Sequence, residues 1–178
     1  MRVFLLAFLL TVILCTTASG QVLLDAETGM TSTGYNDIRI PGTDGTDISF
    51  TNDISTEPAF FYRLRAGYTF DGSHTLVALV APLKLKAYGT LGHAVSFAGT
   101  DFPSGTPLTG TYVFNSYRFT YRYGFIDDEH LYLGAGLTGK IRDASIQLEG
   151  GGRSARKTNL GFVPLINFYL DWQPLEHW

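Results

Sequence analysis

The sequence predicts an all-β protein, a transmembrane antiparallel up-and-down β-barrel with about six strands visible and about eight when complete. Three observations predict it: apolar residues recur with a period of two, basic residues fall on the opposite face, and long connections alternate with short ones. Composition is compatible, with 45% hydrophobic and 16% charged residues, and with 20 Gly, 10 Tyr and 13 Phe beside 2 Met. Aromatic-rich chains of this kind favour strands and turns over helices. The formal net charge of -3 carries no clustered basic excess, so no nucleic-acid partner is expected.

The first twenty residues read as a secretory signal peptide (1–20) ahead of a barrel domain (21–178). Arg2 supplies the positive end, residues 3–14 form an apolar run too short to span a bilayer, and Ala18-Ser19-Gly20 offers small residues for cleavage. A lipoprotein signal at Cys15 is disfavoured by the bulky Leu14 before it. Cleavage after Gly20 removes the one Cys, leaving neither a disulfide nor a thiolate nucleophile.

Residues 22–30 form a weak first strand, with Leu24, Ala26 and Met30 opposite Asp25 and Glu27. In residues 59–70 the even positions Phe60, Tyr62, Leu64, Ala66, Tyr68 and Phe70 alternate with Arg63, Arg65, Gly67 and Thr69. In residues 75–87 the apolar face is Val77, Leu79, Ala81, Leu83 and Leu85, against Ala78, Lys84 and Lys86; Pro82 predicts a bulge or a locally broken ladder. Residues 111–125 set Val113, Tyr117, Phe119, Tyr121, Tyr123 and Phe125 against Ser116, Arg118, Thr120, Arg122 and Gly124. Residues 131–141 set Leu131, Leu133, Ala135, Leu137 and Ile141 against Gly134, Gly136, Thr138, Lys140 and Arg142, and the phase slips at Asp143-Ala144. Residues 158–172 place Leu160, Phe162, Pro164, Ile166, Phe168, Leu170 and Trp172 opposite Asn159, Asn167 and Asp171.

Lipid-facing Arg or Lys at mid-depth costs about 2 to 4 kcal/mol, so a barrel keeps such residues inside. Accordingly Asp25, Glu27, Arg63, Arg65, Lys84, Lys86, Arg118, Arg122, Lys140, Arg142 and Asp171 are predicted to face the lumen. Alternation alone fits a soluble sandwich equally well. The connections favour the barrel: Asp71-Gly72-Ser73 and Ile126-Asp127-Asp128-Glu129 are short, whereas 31–58, 88–110 and 147–157 read as long loops. Tyr68, Phe70, Tyr121, Tyr123, Phe125, Phe168 and Trp172 gather at the short-turn end, as a membrane-interface girdle would.

Six strands fall short of the eight at which single-chain bacterial barrels begin. The run Gln173-Pro174-Leu175-Glu176-His177-Trp178 reads as a third short turn entering a seventh strand, so the chain is expected to be incomplete at its C-terminus.

Several blocks carry a resemblance: Asn36-Asp37-Ile38-Arg39-Ile40-Pro41-Gly42, Tyr62-Arg63-Leu64, Ala81-Pro82-Leu83, Val95-Ser96-Phe97-Ala98-Gly99, Gly110-Thr111-Tyr112, Asn115-Ser116-Tyr117-Arg118, Ile141-Arg142-Asp143-Ala144 and Gly161-Phe162-Val163-Pro164-Leu165. From about Asp25 onward the chain resembles an uncharacterised family of small Gram-negative outer-membrane β-barrel proteins. The resemblance implies the fold, the outer-membrane location and further strands ending on an aromatic residue. It implies no catalytic residue.

The inward basic excess reads first as a packed plug of ion pairs, because the interior of an eight-stranded barrel is just filled by side chains. Its functional alternative is an anion-preferring pore. Asp44-Gly45-Thr46-Asp47, in a loop that also carries Asp37, Asp53 and Glu57, lacks EF-hand spacing and reads as a solvated loop, so no metal or other cofactor is expected. For catalysis the candidates are His93, Ser96 and Asp101, but their spacing alone defines no triad, and no catalytic residue is assigned. His74, His130 and His177 adjoin the short turns, where interfacial roles suffice. Gly134-Ala135-Gly136 and Gly150-Gly151-Gly152 lack the following helix that a phosphate-binding loop needs; inward Gly134 and Gly136 are expected to make room for a facing Tyr or Arg.

The sequence thus points to a non-enzymatic integral outer-membrane protein with a structural or loop-mediated role. The alternatives are a small anion channel, a lipid A hydrolase or acyltransferase, and a soluble periplasmic barrel carrying a lipid. The expected partners are outer-membrane lipid and lipopolysaccharide, with periplasmic chaperones and the barrel-assembly machinery during biogenesis.

Overall fold

Alternating side-chain polarity, Gly-containing turns and a wealth of β-branched and aromatic residues give strands throughout. The computed structural model describes residues 20–173, and within them every regular element is a strand. The proposed signal peptide and the seventh-strand reading of residues 174–178 lie outside the described residues. In chain order the elements are β1 (Gln21–Thr31), β2 (Asp37–Ile38), β3 (Ile48–Ser49), β4 (Ser55–Thr56), β5 (Ala59–Phe70), β6 (His74–Ala81), β7 (Lys84–Thr90), β8 (Val95–Phe97), β9 (Thr100–Phe102), β10 (Pro107–Asp127), β11 (Leu131–Gly150) and β12 (Arg153–Trp172).

The main sheet is an antiparallel meander in the order β1-β5-β6-β10-β11-β12. β7 continues the line of β6 along β10, and β4 pairs with the outer side of β7. Strands β2 and β3, and strands β8 and β9, form separate two-stranded hairpins within the long connections. Among the described residues, β1 and β12 are the free edges, and no pairing between them closes the sheet.

Pro82 breaks the ladder without shifting it. Ser116 faces Ala81 before the break and Val113 faces Lys84 after it, while Leu83 and Phe114 exchange backbone hydrogen bonds at 3.1 and 2.8 Å. The missing proline N–H interrupts pairing there, but no residue is inserted. The main sheet's register shift falls between Gly124 and Ile126, where Phe125 is the extra residue of a bulge.

One expected long loop is corrected. Residues 147–157 are not a loop: β11 and β12 run on until Gly150 pairs with Arg153, and the turn is Gly151-Gly152 alone. Both glycines have positive φ (57° and 74°), the conformation a two-residue hairpin of matching twist requires. Asp71 and Gly72 (53° and 67°) build the short β5–β6 turn in a similar way.

The phase slip at Asp143-Ala144 has a related explanation. The β11 register is continuous through it, so no residue changes face. What changes is the chemistry of each face. On one face Thr138, Lys140 and Arg142 give way to Ala144, Ile146 and Leu148, while on the other Leu137 and Ile141 give way to Asp143, Ser145, Gln147 and Glu149. β10 inverts at the same level. Arg122, Thr120, Arg118 and Ser116 are followed on their face by Phe114, Tyr112, Gly110 and Leu108.

The apolar core sits beyond this inversion. Ile38, Ile48, Phe50 and Ile54 from the first long connection and Leu91, Val95, Phe97 and Phe102 from the second pack on Ala87, Leu108, Leu148 and Ala155 of the sheet. Gly110 makes room for one of the three phenylalanines: a Cβ there would lie 2.6 Å from Cε1 of Phe50. The two connections therefore form a cap with a core of its own at one end of the sheet.

Candidate functional site: the inner face below the cap

Directly paired residues on antiparallel strands share a face, so the register assigns every side chain. Across one level run Asp25, Arg65, Leu79, Arg118, Lys140 and Val163, and across the next Glu27, Arg63, Ala81, Ser116, Arg142 and Gly161. Further from the cap the same face carries Gly67, Val77, Thr120 and Thr138, then Thr69, Thr75, Arg122, Gly136 and Asn167. Asp171 is on it too, opposite Tyr132. This face is concave: residues from both edge strands, including Leu23 and Asn167, line a single hollow of about 780 Å³.

Lys84 and Lys86 do not join the other basic residues. They pair with Val113 and Thr111, and so share the face of Val80 and Tyr117; both are exposed, whereas Leu85 and Ala87 between and beside them are buried. The expectation that they face the lumen is therefore corrected. Their face lies beyond the polarity inversion, where the same surface of β11 carries Asp143, Gln147 and Glu149. Val77 and Leu79, expected on the outer apolar face, are on the concave one, and Leu85 turns inward as well.

The inner charges are arranged unevenly. Arg63 donates to Glu27 at 2.8 Å and Arg65 to Asp25 at 3.1 Å, each across the β1–β5 ladder. On β10 and β11, Arg118 stands directly opposite Lys140, and Arg142 opposite Ser116. Among the described residues none of Arg118, Arg122, Lys140 and Arg142 makes a salt bridge. Arg142 donates instead to Oδ1 of Asn159 at 2.7 Å. The Arg122 guanidinium lies 4.2 Å from the centroid of Tyr169 and 5.9 Å from that of Tyr132, in cation–π contact. Gly134 makes the expected room, since a Cβ there would lie 3.1 Å from Cδ of Arg122. Thr69 and Thr75, and Thr120 and Thr138, share hydrogen bonds of 2.9 and 2.7 Å between their hydroxyls.

The convex face is apolar. Leu137 on β11 and Phe119 on β10 each have strands on both sides, yet are 66% and 57% exposed. Phe60, Leu64, Phe162, Ile166, Phe168 and Leu170 continue the same surface. Tyr68, Phe70, Tyr121, Tyr123, Phe168 and Trp172 all lie on it at the end away from the cap, with Phe125 in the adjoining bulge. There His74 stacks on Phe70 with 5.3 Å between centroids, and its Nδ1 shares a 2.7 Å hydrogen bond with the Tyr121 hydroxyl. His74 belongs to this aromatic girdle.

The loop candidates are dispersed. Ser96 and Asp101 are cross-strand partners in the β8–β9 hairpin, and His93 is exposed before it; among the described residues no side-chain hydrogen bond joins the three. The Ser96 backbone is engaged with Thr46, its N–H donating to Oγ1 at 2.9 Å and its carbonyl accepting from the Thr46 N–H at 2.9 Å. Asp47 is held by a bidentate Arg39 guanidinium, whose hydrogen bonds keep its carboxyl below the usual carboxylate range. Asp53 accepts from the Ser49 N–H at 2.8 Å. Asp47 and Asp53 are thus engaged within the loop itself. Periodicity found most of the inner charges, but missed the cap residues Phe50, Phe97 and Phe102, whose short hairpins carry no readable period.

The chain matches no protein-family model, no curated protein and no solved structure.

Proposed function

We propose that the mature chain is an integral outer-membrane β-barrel protein with a structural or loop-mediated role, its convex face toward lipid and its cap outside the bilayer. The observation that carries this reading is the exposed apolar convex face of a sheet whose inner face is basic and hydroxylated. Soluble monomers rarely leave an apolar patch larger than a few hundred Å² open to water. On β11 the apolar stretch runs from Leu131 to Ile141; at about 3.4 Å per residue and a tilt of about 40°, it spans roughly 25 Å, the height of an outer-membrane apolar band. Inversion of both faces at Arg142-Asp143 marks the upper boundary of that band, and the girdle of Phe70, His74, Tyr121 and Trp172 the lower. In hydrocarbon the free edges of β1 and β12 must be paired, which closure as a barrel of about eight strands would do. The short sequence blocks that resemble small outer-membrane barrels support the same reading.

An anion channel is the second reading, favoured by Arg118, Arg122, Lys140 and Arg142 without carboxylate partners among the described residues. The cap opposes it. Its core packs on inward Leu108, Leu148 and Ala155, and Arg153 at the far hairpin donates to the Asp101 carbonyl of the β8–β9 hairpin, so the cap reaches across the mouth to β12.

The test is gel mobility of the full reading frame, boiled against unboiled, after recovery from the outer-membrane fraction. A heat-dependent shift is expected. Protein found only in the osmotic-shock fraction, with no shift, would overturn the membrane reading in favour of a soluble carrier. Reconstituted protein is expected to give no steady conductance, and anion-selective steps weakened by Arg118→Glu would establish the channel instead.

A further inference from the structure

Between the cap and the inner charges lies a second recess of about 310 Å³. Its roof is apolar, formed by Phe61, Leu83 and Phe114, and its floor carries Arg118, Lys140 and Ser116, with the Arg63–Glu27 ion pair also on its wall and the Lys140 ammonium 5.8 Å from the Phe114 ring centroid. The floor has two irregularities that point the same way. Arg118 and Lys140 are directly opposed across the β10–β11 ladder, an arrangement that is destabilising for like charges unless an anion lies between them. On the β1–β5 ladder, on the far side of β6, positions on the same face hold opposite charges in contact, Arg65 with Asp25 and Arg63 with Glu27. Second, Ser116 is only 6% exposed, and its hydroxyl has no hydrogen-bond partner among the described residues. A buried hydroxyl with room beside it calls for a partner.

We propose that this recess binds a small amphipathic carboxylate, its carboxyl group on Arg118, Lys140 and Ser116 and its hydrocarbon against Phe114 and Leu83. Arg63 is already engaged by Glu27, which leaves the β10–β11 pair as the anion-binding element. At the roughly 30 Å³ that a water occupies in the liquid, the volume holds about ten non-hydrogen atoms, the size of octanoate. The site rests on the barrel reading, because closure of the sheet is what separates this recess from bulk water.

The experiment is isothermal titration of octanoate into full-length protein folded in a non-ionic detergent, with its heat-dependent gel shift checked first. Octanol and octylammonium serve as controls for partition into the micelle. Saturable one-site octanoate binding is expected, with neither control competing. Arg118→Gln should weaken it by about tenfold or more, the consequence of losing one charge-assisted hydrogen bond. Leu83→Trp, which leaves every charge in place and fills the roof, should abolish it. Protein that shows the gel shift but no saturable octanoate binding would overturn the site alone, as would equal binding by both variants. Absence of the shift would overturn the barrel reading and the site with it.

Discussion

Strands β10 and β11 pass through two regions with opposite logic. Near the short turns, Phe119, Tyr121 and Leu137 point away from the concave face, and Arg118, Thr138 and Lys140 point into it. Beyond Ser116 and Arg142 the same strands turn Phe114, Leu108 and Leu148 inward, and Asn115, Gln147 and Glu149 outward. The second region is ordinary for a water-soluble protein, with a dry core and a polar surface. The first is its inverse. A single backbone with continuous register serves both, and on the membrane reading proposed above what differs is the solvent that each outer surface meets.

The largest effect that would break the comparison belongs to the cap. Phe50 is 1% exposed, and Phe50→Ala is expected to cost about 3–5 kcal/mol of cap stability, read as earlier proteolysis of the loop region while the gel shift of the barrel persists. Next comes a pair on one face of β11. Leu137→Arg, at the middle of the apolar band, should destabilise the folded protein in lipid by about 2–4 kcal/mol, whereas Gln147→Arg beyond the inversion should change it by no more than about 0.5 kcal/mol. Equal effects in urea titration from vesicles would erase the distinction between the regions.

Smaller effects refine it. Glu27→Gln removes the acid from an ion pair whose side chains are more than a third exposed, so a loss of about 0–1 kcal/mol is expected, below that of Leu137→Arg in the same titration. Smallest is the Asp47–Arg39 pair on the cap. Its carboxyl is depressed below the ordinary 3.8, so its contribution is present above that value and is lost as pH falls through the lower folded value. An NMR titration of Asp47 with its midpoint at or above 3.8 would contradict the pairing.

Much of the fold is legible in the sequence because period-two alternation survives wherever the two faces meet different environments. All six long strands of the meander answer to segments readable in this way, as do the inner positions of Arg63, Arg65, Arg118, Arg122, Lys140 and Arg142. Strand pair β6–β7 misleads for a physical reason. Leu76, Ala78 and Val80 on one face and Val77, Leu79, Ala81, Leu83 and Leu85 on the other are all apolar, so the more regular series suggests the lipid face although it faces the interior and the cap core. Lys84 and Lys86 then follow that wrong assignment. Likewise Asp143-Ala144 looks like a slip in phase because polarity reverses while geometry does not. The cap core was not legible: Ile38, Phe97 and Phe102 come from strands of two or three residues, too short to establish any period, and Phe50 from the turn after one. The recess beneath it depends on cross-strand register, which brings Arg118 to Lys140 and which neither segment contains alone.

On the reading proposed above, the convex face of the sheet meets hydrocarbon. Nitroxide labels on single cysteines test it, at Leu137, Phe119 and Ile166 on the band and at Gln147 and Thr111 beyond it, in full-length protein reconstituted in lipid. The first three are expected to be relaxed strongly by oxygen and weakly by a water-soluble nickel chelate, and the last two to show the reverse. A label at Leu137 as open to the nickel chelate as one at Gln147 would contradict it.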